Sequence, residues 1–171
     1  MVGEKFLIDA NTLISPYKNF YPFDFAPSFW KQLSFKMGLN NVAILDMAKD
    51  EVVKGTDELS IWIKSIPNLQ ICRHEDSEII KTYSQVLSFL QTSPCYSDKA
   101  LREWSKEEIA DPWLIAAAVV HGYTIITFEQ SVGPLNHKSP CGRAKIPDVS
   151  NAFGVRCENL YYFMRQMSFK L

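Results

Sequence analysis

The sequence predicts an α/β fold, a three-layer α/β/α sandwich with a mostly parallel central sheet. Two observations predict it: short apolar runs of strand character alternate with segments of helical periodicity, and no strong hairpin turn joins consecutive strands. The chain has 171 residues, of which 47% are hydrophobic, and this is enough for one substantial core. We therefore expect residues 1–171 to form a single domain.

The order of strand-like and helix-like segments defines the predicted sheet. Apolar runs predict strands at residues 6–8, 42–45, 69–72 and 124–128, and a last short strand around Val155. Helical spacing and capping residues predict helices at residues 28–38, 46–55, 58–66, 76–91, 111–121 and 161–167. The proline-rich segment 16–30 should lack a long regular element, residues 92–107 should be irregular, and residues 130–147 should form a long loop.

Composition narrows the classes of protein that remain. No apolar run approaches the ~20 residues of a membrane span, and the N-terminal residues do not resemble a secretory signal, so a soluble cytoplasmic protein is expected. The four cysteines form no C-x-x-C pair, which favours reduced thiols over a zinc site. The net charge of −1 neither favours nor excludes an RNA partner.

Two acidic residues follow predicted strands at the edge where open parallel sheets bind their ligands. Asp9 follows the first strand and Glu129 follows the strand that ends near Phe128. A polar residue accompanies each acid, Asn11 near the first and Thr127 near the second. Position alone therefore makes Asp9 and Glu129 candidate functional residues, although an acid at this point can also be an ordinary turn residue.

Two further acids lie on predicted helices. Asp111 precedes Pro112 at the start of the most apolar helix, which is typical of a helix cap, and a cap can also reach a metal ion. On the helix after the second strand, Ala48 and Val52 mark the apolar side. At ~100° per residue, Glu51 borders that side and can point toward the sheet, whereas Asp50 faces water.

Converging carboxylates repel one another and become stable together when a cation neutralises them. Three or four acids, without paired cysteines and without histidines at ligand spacing, suit oxygen-seeking cations such as Mg²⁺ or Mn²⁺ better than zinc. The sequence therefore predicts a Mg²⁺ or Mn²⁺ site at the carboxyl edge of the sheet.

Six segments, read in order, resemble the PIN-domain ribonucleases, a superfamily that includes the VapC-type toxins, and are most similar to its DUF4411 subgroup. These segments are FLIDANTLI (6–14), FDFAPSFWKQL (23–33), KDEVVKGTDELSIW (49–62), ADPWLIAAAVVHG (110–122), TIITFE (124–129) and KIPDVSNAFGV (145–155). No one motif is specific, but the ordered set spans nearly the whole chain.

The resemblance implies about five parallel strands and an acidic pocket that binds one or two Mg²⁺ or Mn²⁺ ions to hydrolyse RNA phosphodiester bonds. Carried over by position, the ligating acids are Asp9, Glu51, Asp111 and Glu129. Asn11 and Thr127 support them, and Asp148 is either a further ligand or an acid that orients the ligands. The resemblance also implies a toxin role with an antitoxin protein as partner, and a homodimer.

Contacts with RNA are expected from two regions. Lys138, Arg143 and Lys145 in the long loop are candidate phosphate-binding residues, and an ordinary solvated loop is the alternative. The aromatic segment 17–30 could stack on bases or pack in the core. For the whole protein, there are two alternatives to a nuclease. One is a non-catalytic PIN-like RNA-binding or regulatory module. The other is a phosphatase with an aspartyl nucleophile, which is disfavoured because Asn11 stands where a second acid, two residues after Asp9, would be expected.

Overall fold

The computed structural model describes residues 3–171. Its central sheet has five strands, β1 (Phe6–Ile8), β2 (Val42–Leu45), β3 (Gln70–Cys72), β4 (Thr124–Ile126) and β5 (Cys157–Glu158). All the neighbouring strands are parallel, in the spatial order β3-β2-β1-β4-β5. The prediction of a parallel α/β sheet is therefore confirmed.

Nine helices are present in the described part of the chain. They are α1 (Asn11–Asn19), α2 (Pro27–Met37), α3 (Asp46–Lys54), α4 (Glu58–Lys64), α5 (Ser77–Thr92), α6 (Asp98–Trp104), α7 (Asp111–His121), α8 (Ile146–Ala152) and α9 (Leu160–Gln166). Helices α5 to α8 pack against one another in one layer, whereas α4 contacts α1 and α3, and α2 packs on β2. The architecture agrees with the predicted three-layer sandwich.

The middle strands carry the core. Every residue of β1, β2 and β4 is buried, which explains why these strands read as continuous apolar runs rather than as alternating patterns. Phe6 packs edge-on against Phe163 of α9, with ring centroids 5.1 Å apart, so the last helix closes over the first strand. Six of the seven residues from Pro112 to Ala118 in helix α7 are buried, as its apolar composition predicts.

Several predicted element boundaries are wrong. Helix α1 begins at Asn11 and continues through Pro16, in a segment predicted to start as a turn, because Thr12, Leu13 and Pro16 are buried against the core. Helix α6 lies within residues 92–107, which were expected to be irregular; Ala100 and Trp104 bury its inner side. Helix α8 at Ile146–Ala152 was also missed.

Smaller corrections concern helix and strand ends. Helix α2 begins with Pro27 at its first position, so Ser28 lies inside the first turn and does not cap the helix. Asp46 is the first residue of α3, and the last strand lies at Cys157–Glu158, two residues beyond Val155. Within residues 3–171, none of the helices combines the length and the apolar character needed to cross a bilayer.

The aromatic residues between α1 and α2 mostly contact one another. The Phe23 ring stacks on Trp30 with centroids 4.4 Å apart, and Tyr21 contacts the fully buried Phe29. Phe25 is the exception, since 77% of its surface is exposed. Core packing, one of the two interpretations of segment 17–30, therefore accounts for most of its aromatic side chains.

Candidate functional site

The strand order locates a crevice at the carboxyl ends of β1 and β4. The chain moves from β1 to β2 and β3 on one side, and later places β4 and β5 on the other side of β1. Loops that leave such a switch point diverge, so they open a crevice in which α/β proteins bind ligands. Asp9 and Thr127 are the residues that directly follow the paired positions Ile8 and Ile126.

Asp9 is held in place by a short network at this crevice. The Asp9 N–H donates to the carbonyl oxygen of Ile126 (3.0 Å), and the Thr127 hydroxyl donates to Asp9 Oδ2 (2.8 Å). The same Thr127 oxygen accepts a hydrogen bond from the N–H of Glu129 (3.0 Å). Burial raises the pKa of Asp9 to about 6; the Thr127 hydrogen bond lowers it, whereas the charges of Glu129 and Glu51 raise it.

Asp111 reaches the same crevice from the helical layer. Helix α7 precedes β4 and ends at Gly122, the left-handed C-cap residue (φ 69°), so the other end of the helix lies near the carboxyl ends of the strands. The N-cap residue of α7 is Ala110, so Asp111 is the first residue of the helix and not its cap, and its side chain lines the crevice. The pKa of Asp111 is raised to about 7, chiefly by burial and also by the charges of Glu129 and Asp9, against the lowering effect of Lys145.

The buried Asp9 and the partly buried Asp111 open into one cavity of about 480 Å³. Four predicted site residues line it together: Asp9, Asn11, Glu51 and Asp111. The cavity is also lined by Asp50, which the sequence analysis placed facing water, and by five residues that it did not select: Met47, Lys54, Glu108, Ile109 and Ala110.

The comparison of Glu51 with Asp50 supports the helical-wheel argument in part. Both side chains are exposed and both line the cavity, so Asp50 faces water as predicted but is not remote from the site. Among these two acids, only the Glu51 charge contributes to the raised pKa values of Asp9 and Asp111. Glu51 is therefore the acid of α3 that acts on the buried pair.

Glu129 lies next to the pair, but its carboxylate already has two partners. Lys145 Nζ lies 2.6 Å from Oε1, and the N–H of Ile146 donates to Oε2 (2.8 Å). These contacts join the end of β4 to the start of α8. Sequence reasoning assigned Glu129 to the metal and Lys145 to RNA, and it did not foresee that the two form an ion pair.

Three other predicted residues lie apart from the carboxylate cavity. Asp148 lines a separate cavity of about 590 Å³, where its carboxylate accepts hydrogen bonds from the Ser131 hydroxyl and from the N–H of Val132 (3.1 Å). Lys138 is exposed, in a turn closed by Asn136. Arg143 lines a cleft of about 270 Å³ together with Lys145, Asp111 and Glu129. The structure thus does not bring Asp148 to Asp9 and Asp111.

The donor set fits a hard divalent cation. The cavity offers carboxylate oxygens and the Asn11 amide, which are ligands that hard cations prefer, and burial together with neighbouring carboxylates raises the pKa values of Asp9 and Asp111. As the side chains stand, no three His, Cys, Asp or Glu residues within 3–171 converge closely enough to form a ready metal site. All four cysteines are free thiols.

Fold and cavity together define a doubly wound α/β protein with an acidic site at its topological switch point. The chain belongs to the DUF4411 family, described as a domain of unknown function, whose family model matches residues 6–171. A comparison with curated proteins finds no match.

Proposed function

We propose that the protein is a metal-dependent endoribonuclease of the PIN-like type, which hydrolyses RNA phosphodiester bonds at a Mg²⁺ or Mn²⁺ site. The observation that carries the proposal is the pair Asp9 and Asp111, whose pKa values are raised in one cavity at the switch point. Two carboxylates that each resist ionisation are stabilised together when a cation lies between them.

Different residues of the cavity would bind the cation and orient its ligands. Asp9 and Asp111 supply oxygen ligands from the strand edge and from the helical layer, and Thr127 fixes the orientation of Asp9 through its 2.8 Å hydrogen bond. Glu51 is exposed, so its long side chain can turn into the cavity and complete the ligand set when the cation is bound. A cation held there would supply a water of lowered pKa and a positive charge opposite the phosphate.

RNA as the substrate rests on the resemblance to PIN-domain ribonucleases, and so do the toxin role, the antitoxin partner and the homodimer. The cytoplasmic location is proposed from the sequence composition alone. The toxin role has its own test. Growth arrest on expression, relieved by co-expression of a neighbouring gene and absent for Asp111→Asn, would support it. Harmless expression of an enzyme that is active in the purified state would contradict the toxin role and leave the nuclease intact.

One observation favours the non-catalytic alternative. Glu129, the fourth predicted ligand, is already paired with Lys145, which leaves fewer acids for a second cation. A PIN-like module that binds RNA without cutting it would retain this pair. Such a module would show no Mn²⁺ binding in a calorimetric titration, whereas the nuclease requires it.

The test of the proposed function is the cleavage of a mixed RNA pool with Mn²⁺ by identically prepared variants. Parent protein and Asp24→Asn, which alters an exposed acid away from the cavity, should cut the pool. Asp9→Asn and Asp111→Asn should not cut it, and EDTA should stop cleavage by the parent. Equal cleavage by all four proteins would show a contaminant and would contradict the proposal.

A further inference from the structure

A second cleft adjoins the carboxylate cavity and shares Asp111 with it. Its volume is about 270 Å³, and its walls include α6 and residues 142–145. Three cationic side chains line it: Lys99, Arg143 and Lys145. Of these, Lys99 was not among the residues that the sequence analysis selected, because its helix lies in a segment predicted to be irregular.

The chain joins the two walls of this cleft by backbone hydrogen bonds. The N–H of Cys141 donates to the Cys95 carbonyl (2.8 Å), and the N–H of Ser97 donates to the Cys141 carbonyl (3.0 Å). The Lys99 stem lies beside Gly142, where a Cβ would be 3.4 Å from Lys99 Cδ, so these hydrogen bonds bring Lys99 next to residues 142–145.

The cleft is lined by three cations and by three acids, Glu103, Asp111 and Glu129, and two of these acids are paired with lysines. Glu129 is paired with Lys145, and Glu103 is paired with Lys106 outside the lining (2.7 Å). Among residues 3–171, no carboxylate lies within 4.0 Å of the charged groups of Lys99 or Arg143. Lys99 and Arg143 thus have no direct ion-pair partner beside the acidic cavity, and their charged groups can hold a phosphate group there.

We infer that this cleft binds a backbone phosphate of single-stranded RNA next to the phosphate being cut, and that Glu129 serves the cleft by holding Lys145 and does not bind the cation. The inference rests on the proposed function for its choice of RNA. A polynucleotide carries a phosphate at every nucleotide, so a strand that lies across Asp111 places one phosphate in the cavity and a neighbour in the cleft. Glu129 is then a positioning residue, since its two oxygens fix Lys145 and the start of α8.

The first arm of the test measures RNA binding without cleavage. Fluorescence anisotropy with a labelled single-stranded RNA in EDTA compares the parent with Lys99→Ala, Arg143→Ala and, as a control, Lys64→Ala, an exposed lysine on α4 in the opposite layer. Each cleft variant should weaken binding several-fold and lower the slope of log affinity against log salt by about 0.7. Lys64→Ala should change neither quantity.

Three results of this arm would overturn the inference: no binding by the parent, no effect of the cleft variants, or an equal effect of Lys64→Ala. Because EDTA removes the cation, this arm does not depend on whether the protein is an enzyme. The parent could bind Mn²⁺ and cut RNA while the cleft variants bind RNA as well as the parent does. That result would support the proposed function and refute the phosphate-binding role of the cleft.

The second arm separates Glu129 from the cation ligands. The double variant Glu129→Gln with Lys145→Met removes an ion pair without changing the net charge, and the glutamine can still accept the hydrogen bond from Ile146. Its Mn²⁺ affinity should stay within about threefold of the parent, and its RNA affinity should fall because Lys145 is lost. A loss of Mn²⁺ affinity as large as that of Asp111→Asn would show that Glu129 is a ligand and would refute its positioning role.

Discussion

Replacing Asp111 by asparagine should stabilise the metal-free protein, and the gain should grow with pH. The pKa of Asp111 is raised from 3.8 to about 7 in the folded chain, chiefly by burial. A raised carboxyl pKa means that the folded state binds more protons than the unfolded state between these two values. The parent is therefore most stable below pH 4 with respect to this group, and it loses that stability as the pH rises through 7.

The size of the gain follows from the same two pKa values. Each pH unit between them corresponds to about 1.4 kcal/mol, so the charged Asp111 costs about 4 kcal/mol of unfolding free energy at pH 8. The asparagine amide carries a smaller desolvation cost of its own, so Asp111→Asn should gain about 2–4 kcal/mol at pH 8 and almost nothing at pH 4. For a chain of this length that gain raises Tm by roughly 5–15 °C.

The assay is urea denaturation in EDTA at a series of pH values, with Asp24→Asn as the control. The control should stay within about 0.5 kcal/mol of the parent throughout, because an exposed side chain loses little on substitution. A variant less stable than the parent at pH 8, or a gain that is the same at pH 4 and pH 8, would refute the claim that Asp111 carries an uncompensated charge.

Three further substitutions test the site and its scaffold. Thr127→Val removes the hydroxyl that joins Asp9 to the N–H of Glu129, so unfolding free energy in EDTA should fall by about 1–3 kcal/mol; an unchanged urea midpoint would contradict the network. Tyr96→Phe should raise the unfolding free energy by about 1 kcal/mol, because the buried hydroxyl has no hydrogen-bond partner within residues 3–171. A clear loss of stability would show that the hydroxyl has a partner. Gly122→Ala should cost about 1–2 kcal/mol, since φ there is 69°, and its Tm would not fall if that strain were absent.

The strands and the position of the site were predictable because both depend on local chemistry. Continuous apolar runs such as Val42–Leu45 are typical of strands buried on both faces, and acids that directly follow such runs must lie at the carboxyl edge. The helical angle also singled out Glu51, which lines the cavity, although Asp50 lines it too. In each case the signal comes from a few neighbouring residues.

The features that sequence reasoning missed depend on contacts between distant residues. Pro16 lies inside α1 because the surrounding core buries it, which a propensity argument cannot foresee. Helix α6 has only two buried residues in seven, too few for a clear periodic pattern, so Lys99 escaped notice. The pairing of Glu129 with Lys145 joins residues 16 positions apart across a loop without regular structure.

The Asp111 side chain shows how two interpretations of one residue are separated. From sequence, an acid before proline at the start of a helix is typical of a cap, and the same acid could face a ligand. In the structure Ala110 is the N-cap residue and Asp111 is the first residue of the helix, and the Asp111 carboxylate lines the cavity with a raised pKa. The structure therefore favours the ligand-facing interpretation over the cap.

The measurement that most directly tests the central claim is a calorimetric titration with Mn²⁺ at pH 8. If Asp9 and Asp111 hold the cation, the parent and Asp24→Asn should bind Mn²⁺ with equal affinity, and Asp9→Asn and Asp111→Asn should each lose more than about tenfold. A Mn²⁺ concentration that saturates the parent should also raise the Tm of the parent. The same concentration should leave the Tm of the two cavity variants unchanged. A parent that binds no Mn²⁺, or cavity variants that bind as well as the parent, would contradict the account.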